Sequence, residues 1–353
     1  MSLLGLLWES SLIMGLAAVA WMFGLIIARL LRERSDARRA ADQTRVRAAF
    51  LDILAGDLEA LMRLKPYRRR ARLMAEAVLD VVGLIRGAER ERLIKVLAGM
   101  GVPDRLRARL DRGSKAGRIA SAEALSAFPD PATVDVLHNV LLRSRDDDLR
   151  VAILISLLDL DAAPPLNALL GDVATRGLQD SLLYEPVIRR AAEASPAEAV
   201  DAFMLSTAPA VTRAVLADAL GAAGDYRAVE PLMQSAAMPE LEVRVASLRA
   251  LGVLGHPAAA AAIMTAMRDE IWEVRSAACE ALGRIGLIEA VPLLVQALTD
   301  PAWWVRFRAG EALAMLGDKG IASLRIAAGA DQDLMRRAAS LVLAERGLLE
   351  GVA

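Results

Sequence analysis

The sequence predicts an all-α protein, an α-solenoid of helical hairpins preceded by one apolar N-terminal helix. Four arginines and four glycines recur at intervals of 31 residues: Arg213, Arg244, Arg275, Arg306, Gly224, Gly255, Gly286 and Gly317. A fixed interval of this size is typical of a repeat array, in which each unit packs on its neighbours. The second observation is an apolar run near the N-terminus, at residues 10–31.

One repeat, Trp272–Ala302, consists of two short helices. Its first helix has one apolar face, formed by Val274, Ala277, Ala278, Ala281, Leu282 and Ile285. Gly286 follows, where a left-handed helix cap favours a residue without Cβ. A second helix is predicted over 291–298, with Pro292 near its start and a turn at Asp300 and Pro301.

The regular pattern covers 208–347, and a degenerate form of it covers 116–207. Arg308 and Arg325 occupy positions that are apolar in the other repeats. A last helix, at about 333–346, is predicted to cap the array, and residues 348–353 form a tail.

The segments LEVRVASLRALGVLGHPAAAAAIMTAM, WEVRSAACEALGRIGLIEAVPLLVQAL and WWVRFRAGEALAMLGDKGIASL resemble HEAT repeats. They are most similar to the short bacterial type named after the phycobilin lyases. The resemblance implies hydrogen bonds between adjacent units, in the pairs Asp269 and Arg244, Asp300 and Arg275, and Asp331 and Arg306. It also implies an alternative function, a lyase-like enzyme or chaperone acting on a tetrapyrrole-binding protein.

The apolar run predicts a transmembrane helix at 10–31, since about 20 apolar residues span a bilayer. A cleaved signal peptide is the alternative, but no basic segment precedes the run. Arginines follow it at Arg29, Arg32, Arg34, Arg38 and Arg39. The positive-inside rule then puts a short tail, 1–9, outside a bacterial inner membrane and the solenoid in the cytoplasm.

Small residues recur within this run at four-residue spacing, at Ala20, Gly24 and Ala28. Such spacing favours close packing of helices in a membrane and would allow self-association. Chance explains it equally well, because the segment is rich in small residues.

The charges are distributed unevenly. Residues 29–118 hold 23 Lys and Arg against 12 Asp and Glu, whereas residues 119–353 hold 20 against 31. The basic region, 32–115, includes the cluster Arg68, Arg69 and Arg70, for which anionic lipid headgroups and a solvated helical face are both plausible ligands or surroundings. Nucleic-acid binding is a further alternative, disfavoured by the few aromatic residues there and by the acidic array.

No catalytic motif is found in the sequence, and it predicts no cofactor and no metal site. The two histidines have no metal-ligand spacing, and the His-Glu pairs of HEAT-repeat iron hydroxylases are missing. The acidic run Asp146–Asp148 could bind a cation or stabilise a helix N-terminus. Cys279 is expected to be a buried free thiol.

Tryptophan positions predict a contact surface. Trp272 and Trp303 stand where another repeat has Leu241, so we expect them to pack between repeats. Trp304 stands where two repeats have glutamate, which predicts exposure and, with Arg308 and Arg325, a partner-binding surface. The alternative is that the last repeats have shifted and Trp304 covers a neighbouring helix.

Together these observations predict a membrane-tethered scaffold or adaptor rather than an enzyme. Its cytoplasmic solenoid would bind a protein partner, expected to be a membrane enzyme or transport complex, with envelope polysaccharide synthesis as one context.

Overall fold

A computed structural model describes residues 3–57, 59–178, 181–204 and 208–348, without the side chains of 3–13, 15–20, 32, 35 and 39. Every regular element in these residues is helical, which confirms the all-α prediction. The chain forms two compact units, Met1–Ala162 and Ala163–Ala353. The finer division predicted from the sequence, at residues 32, 116 and 208, stays a prediction.

The first unit contains eight described α-helices and the 3-10 turn Lys65–Tyr67. The helices are α1 (Leu3–Leu54), α2 (Ala60–Leu64), α3 (Ala71–Val82), α4 (Gly87–Gly99), α5 (Val102–Arg112), α6 (Lys115–Leu125), α7 (Pro131–Arg143) and α8 (Asp147–Asp159). Its core includes Phe50, Met74, Leu93 and Leu106, which are almost completely buried.

The second unit contains the regular repeats, and 3-10 turns lead into four of its helices. The helices are α9 (Leu166–Thr175), α10 (Glu185–Ala194), α11 (Pro196–Met204), α12 (Ala210–Ala223), α13 (Val229–Ser235), α14 (Leu241–Leu254), α15 (Ala260–Ala266), α16 (Trp272–Ile285), α17 (Val291–Ala297), α18 (Trp303–Met315), α19 (Gly317–Ala328) and α20 (Asp333–Glu345). The first helices of successive repeats, α12, α14, α16 and α18, pack side by side.

The predicted transmembrane helix at 10–31 is wrong. Within the described residues, no helix combines the length and the apolar character needed to cross a bilayer. The apolar run is the first part of α1, which continues through the arginine-rich segment to Leu54 and buries Val46, Phe50 and Ile53 near its end. The sequence argument treated the run as a separate element, whereas the helix joins it to a long charged half. The predicted placement in a bacterial inner membrane, with the N-terminus outside, is overturned with it.

The predicted packing of transmembrane helices is also withdrawn with the span. The side chain of Ala20 and those of 1–9 lie outside the described residues. At Gly24, a Cβ atom would meet nothing within 4 Å, and Ala28 is half-buried. No close helix contact therefore exists at Gly24.

The repeat design predicted from the sequence is confirmed in the second unit. Gly224, Gly255 and Gly286 follow their helices with φ angles of 72°, 66° and 77°. This is the left-handed conformation in which a Cβ atom would be strained. The apolar face predicted for α16 is buried between its neighbours, Val274 and Leu282 completely so.

Two of the three expected arginine–aspartate pairs are formed. Arg244 Nη1 donates to Asp269 Oδ2 at 2.5 Å. Arg275 donates to both carboxylate oxygens of Asp300, from Nε at 2.7 Å and from Nη2 at 2.9 Å. The third expected pair is not formed: Arg306 Nη1 donates to the carbonyls of Asp300 and Pro301 instead, at 2.7 and 3.0 Å. The ladder of paired side chains therefore ends before the last repeat.

A second set of glycines allows adjacent first helices to approach closely. A Cβ atom on Gly221, Gly252 or Gly283 would lie 2.8, 2.7 and 2.7 Å from the Cα atoms of Ala250, Ala281 and Ala312. These glycines also recur every 31 residues, but the sequence analysis did not single them out. They are mid-helix residues, and their role depends on a neighbour that only the stacked structure identifies.

Candidate functional site

The first turns of α18 carry a cluster of three aromatic rings, Trp303, Trp304 and Phe307, which we call the aromatic cluster. The ring of Trp303 stacks on that of Phe307, with centroids 5.1 Å apart and planes at 10°. The ring of Trp304 meets Trp303 edge-on at 4.6 Å. Trp303 and Trp304 are 47% and 49% exposed, so the cluster covers itself on one side and faces solvent on the other.

The exposure predicted for Trp304 is present. Trp303 differs from expectation, because it is as open as Trp304 although it was expected to pack between repeats. Trp272, its counterpart one repeat earlier, is 39% exposed as well. Both begin their helices, where one side of the ring remains uncovered. Phe307 was missed, although its spacing of four residues from Trp303 could have indicated the contact.

The two arginines predicted to accompany Trp304 have different surroundings. Arg308 Nη1 donates to Glu311 Oε2 at 2.7 Å, and its Nε lies 3.7 Å from Glu280 Oε2 on the preceding first helix. Arg325 lies exposed on α19, the second helix of the repeat. Arg308 thus belongs to an ion-pair network on the first helices, and the structure does not join Arg325 to the aromatic cluster by any contact among the described residues.

The basic region assembles part of its predicted arginine set in one place. Arg34, Arg38, Arg69 and Arg70 line a single cleft of the first unit. Arg68 is exposed outside the lining of this cleft, and the side chains of Arg32 and Arg39 lie outside the described residues.

The remaining candidate groups have structural roles. Asp146 caps α8 by accepting from the Leu149 amide at 3.2 Å, which confirms the helix N-terminus interpretation. His138 Nε2 lies 2.9 Å from the carbonyl oxygen of Ala162, and His256 Nδ1 accepts from the Ala258 amide at 3.3 Å. No group of three metal-ligating side chains is assembled by the described residues. Burial raises the pKa of the Cys279 thiol to about 12, so it is a buried core residue as predicted.

Comparison with protein families identifies HEAT repeats in this chain. Residues 261–344 match the family described as HEAT repeats, and residues 243–269 match the PBS lyase HEAT-like repeat. These matches confirm the predicted repeat type over the regular part of the second unit. No curated protein matches the sequence significantly.

Solved structures with a similar helical arrangement include Kap121p bound to Ste12p, with 14% identity, a TM-score of 0.38 and coverage of 86% of this chain and 43% of that one. Human deoxyhypusine hydroxylase in complex with glycerol has 17% identity, a TM-score of 0.30 and coverage of 78% and 96%. The CpcE and CpcF complex of phycocyanin lyase from Nostoc sp. PCC7120 has 19% identity, a TM-score of 0.24 and coverage of 78% and 94%. This chain spans less than half of Kap121p. At these scores none of the three bears on the activity of this chain.

Proposed function

We propose that this protein is a binding scaffold whose HEAT repeats present the aromatic cluster to an apolar pocket of a protein partner. The observation that carries the proposal is the mutual contact of Trp303, Trp304 and Phe307 on an exposed helix start. Tryptophan is enriched among the residues that dominate binding energy at protein interfaces. Repeat arrays commonly work through such extended surfaces.

The cluster is also preorganised for contact. Because Trp303 stacks on Phe307 and Trp304 abuts Trp303, the rings lose little conformational freedom when a partner covers them. Arg306 is held by two backbone carbonyls and Arg308 by two glutamates, so neither charge needs a partner to satisfy it. Such a surface, apolar at its centre with fixed polar groups beside it, resembles the anatomy of a binding hot spot.

The finer expectations stay predictions. They concern the identity of the partner, proposed from the sequence as a membrane enzyme or transport complex of envelope polysaccharide synthesis. The lyase-like and nucleic-acid-binding alternatives rest on the resemblance and on the basic region, and no site residue argues for either.

Site-specific photocrosslinking tests the proposal. A photoreactive phenylalanine derivative is placed at Trp304 of the full chain and, as a control, at Ile326, which is an apolar side chain on α19 that is 78% exposed. We expect a discrete protein to be captured at position 304 and not at 326. Its affinity for the purified chain should then fall about 30-fold or more in a Trp303→Ala/Trp304→Ala variant and remain unchanged in Ile326→Ala.

The proposal is wrong if both positions capture the same set of proteins, or if the captured protein binds the double variant and the wild type equally well. Thermal unfolding of both variants checks that the fold is intact.

A further inference from the structure

A second surface, independent of the aromatic cluster, lies in the first unit. It is a cleft of about 1040 Å³ between the middle of α1, the start of α3 and one residue of α5. Its lining includes seven arginines and three carboxylates and no lysine. The arginines are Arg34, Arg38, Arg45, Arg69, Arg70, Arg72 and Arg109, and the carboxylates are those of Asp36, Asp42 and Glu76.

The carboxylates of the cleft already have partners. Asp42 accepts from Arg70 and lies 3.5 Å from Arg45 Nη1. Glu76 accepts from Arg72 Nε at 2.7 Å and from the Gln43 amide at 2.7 Å. Asp36 has an interaction of its own. The acidic groups therefore leave a surplus of positive charge in the lining.

Four of the arginines supply this surplus. Arg34, Arg38 and Arg69 are exposed and form no ion pair with any residue that the structure describes. Arg109 differs, because its Nε atom is buried and has no hydrogen-bond partner. A buried donor without a partner is costly, and the cost is greater for a charged group. A bound anion would supply the missing acceptor.

Gly117 of α6 is what makes room for Arg109. A Cβ atom at Gly117 would lie 2.5 Å from Arg109 Nη2 and 2.6 Å from its Nε, so a larger residue would displace the guanidinium. The position of Arg109 at the cleft is thus a consequence of a specific glycine on the neighbouring helix.

The start of α3 adds backbone donors to the same place. Arg70 is the N-cap residue, and its side chain forms no capping hydrogen bond. The amides of the first turn, in the segment that includes Ala71 and Arg72, therefore lack a side-chain acceptor, and both residues line the cleft. Unpaired amides and the helix dipole favour an anion at this position.

We propose that this cleft binds an anion with two or more phosphate groups. The fork of donors on a guanidinium matches phosphate oxygens, and arginine does this better than lysine. A single carboxylate would satisfy only one of the four surplus arginines, which come from α1, α5 and the segment before α3. The phosphates can belong to a soluble diphosphate or to phosphomonoester headgroups at a lipid surface, and the chemistry recognised is the same.

Calorimetric titration of the full chain with pyrophosphate, at about 0.1 M salt, tests the proposal. We expect saturable binding of one pyrophosphate per chain. Arg69→Gln removes an exposed surplus arginine without touching the core, and Arg109→Gln removes the buried one. Each should weaken binding about tenfold or more, because a charge-assisted hydrogen bond commonly contributes that much. The matched control is Arg92→Gln, an exposed arginine of α4 outside the cleft, which should leave the affinity unchanged.

Competition with vesicles identifies the source of the phosphate. If phosphatidic acid vesicles bind through Arg69 and pyrophosphate displaces them, the ligand is a headgroup; if only pyrophosphate binds, it is soluble. Either result supports the cleft. Binding that does not saturate, an equal loss in Arg92→Gln, equal binding to phosphatidylserine vesicles, or preferential binding of single-stranded DNA would overturn the proposal, because each indicates nonspecific attraction or a different ligand class.

Discussion

Two neighbouring joints of the second unit use the same repeat and are held together differently. Between α16 and α18, Gly283 lies against Ala312, and Arg275 is bonded to Asp300. Between α18 and α20, a Cβ atom on Gly310 would lie 2.6 Å from a methyl group of Val342. No side-chain bond joins Arg306 to the aspartate expected for it within the described residues. The first joint is close and charge-paired, whereas the second lacks the ion pair.

A slip of one residue accounts for the difference. Arg306 and Arg275 donate to the carbonyls five and six residues before them, and Arg336 does the same for Ala330 and Asp331. Arg336 stands 30 residues after Arg306, one fewer than the regular interval. One residue turns a helix by about 100°, so the face that continued the contacts points elsewhere. The aromatic cluster stands on α18, where the regular pattern ends.

The largest expected difference between the joints concerns their aspartates. In Asp300→Ala, the largely buried Arg275 loses its carboxylate and the Ala302 amide loses its acceptor. We expect the free energy of unfolding to fall by about 3 kcal/mol, since breaking a buried ion pair leaves an uncompensated charge. Asp331→Ala, at the equivalent position of the second joint, should change it by less than about 0.5 kcal/mol.

Urea unfolding of the two variants measures the difference. Equal losses in both would mean that Asp331 is paired in solution and that the ladder continues through the last repeat.

The next effect concerns the close helix approach. Gly283→Ala places a methyl group against the Ala312 backbone, and we expect a loss of about 2 kcal/mol from overpacking. The control is Gly171→Ala in the middle of α9, where a Cβ atom would meet nothing within 4 Å. That substitution should stabilise the protein by about 0.5–1 kcal/mol, because alanine favours the helix. Thermal unfolding distinguishes the two signs, and a stabilising Gly283→Ala would show that the first helices are not in contact there.

The sequence predicted the repeat well because its signals are local. A glycine after each first helix and an apolar face of helical spacing depend only on neighbouring residues, and Gly255 and Val274 both behave as expected. The role of Gly283 and the missing bond of Arg306 could not be predicted, since both depend on how one helix meets the next. The slip of the last repeat is visible only when Arg336 is seen to replace the expected arginine.

The candidate sites show the same limit. Exposure of Trp304 follows from its position in the repeat, but its contacts with Trp303 and Phe307 follow from rotamers. The arginines of the basic region were recognised as a charge surplus. That Arg34 and Arg69, from distant segments, meet in one cleft with Arg109 depends on how α1 packs against α3 and α5. The apolar run of α1 misled the prediction because hydropathy over one window ignores the rest of the helix.

The smallest effect tests the burial that characterises the first joint. Cys279 lies on α16 close to the pair of Arg275 and Asp300, and desolvation raises its pKa from the usual 9.0 to about 12. The folded state therefore holds this proton in a range where the unfolded chain has lost it. The contribution to stability is full below about pH 9 and declines as the pH rises towards about 12.

Between about pH 8 and about pH 10, the wild type should lose about 1 kcal/mol more of its unfolding free energy than Cys279→Ala, which has no thiol to titrate. Urea unfolding of both proteins at each pH measures this difference, and the change with pH separates it from the cavity that the substitution leaves. Parallel curves would mean that the thiol ionises as readily in the folded protein as in the unfolded one. The joint between α16 and α18 would then be open to solvent, and the contrast with the last joint would rest on the aspartates and glycines alone.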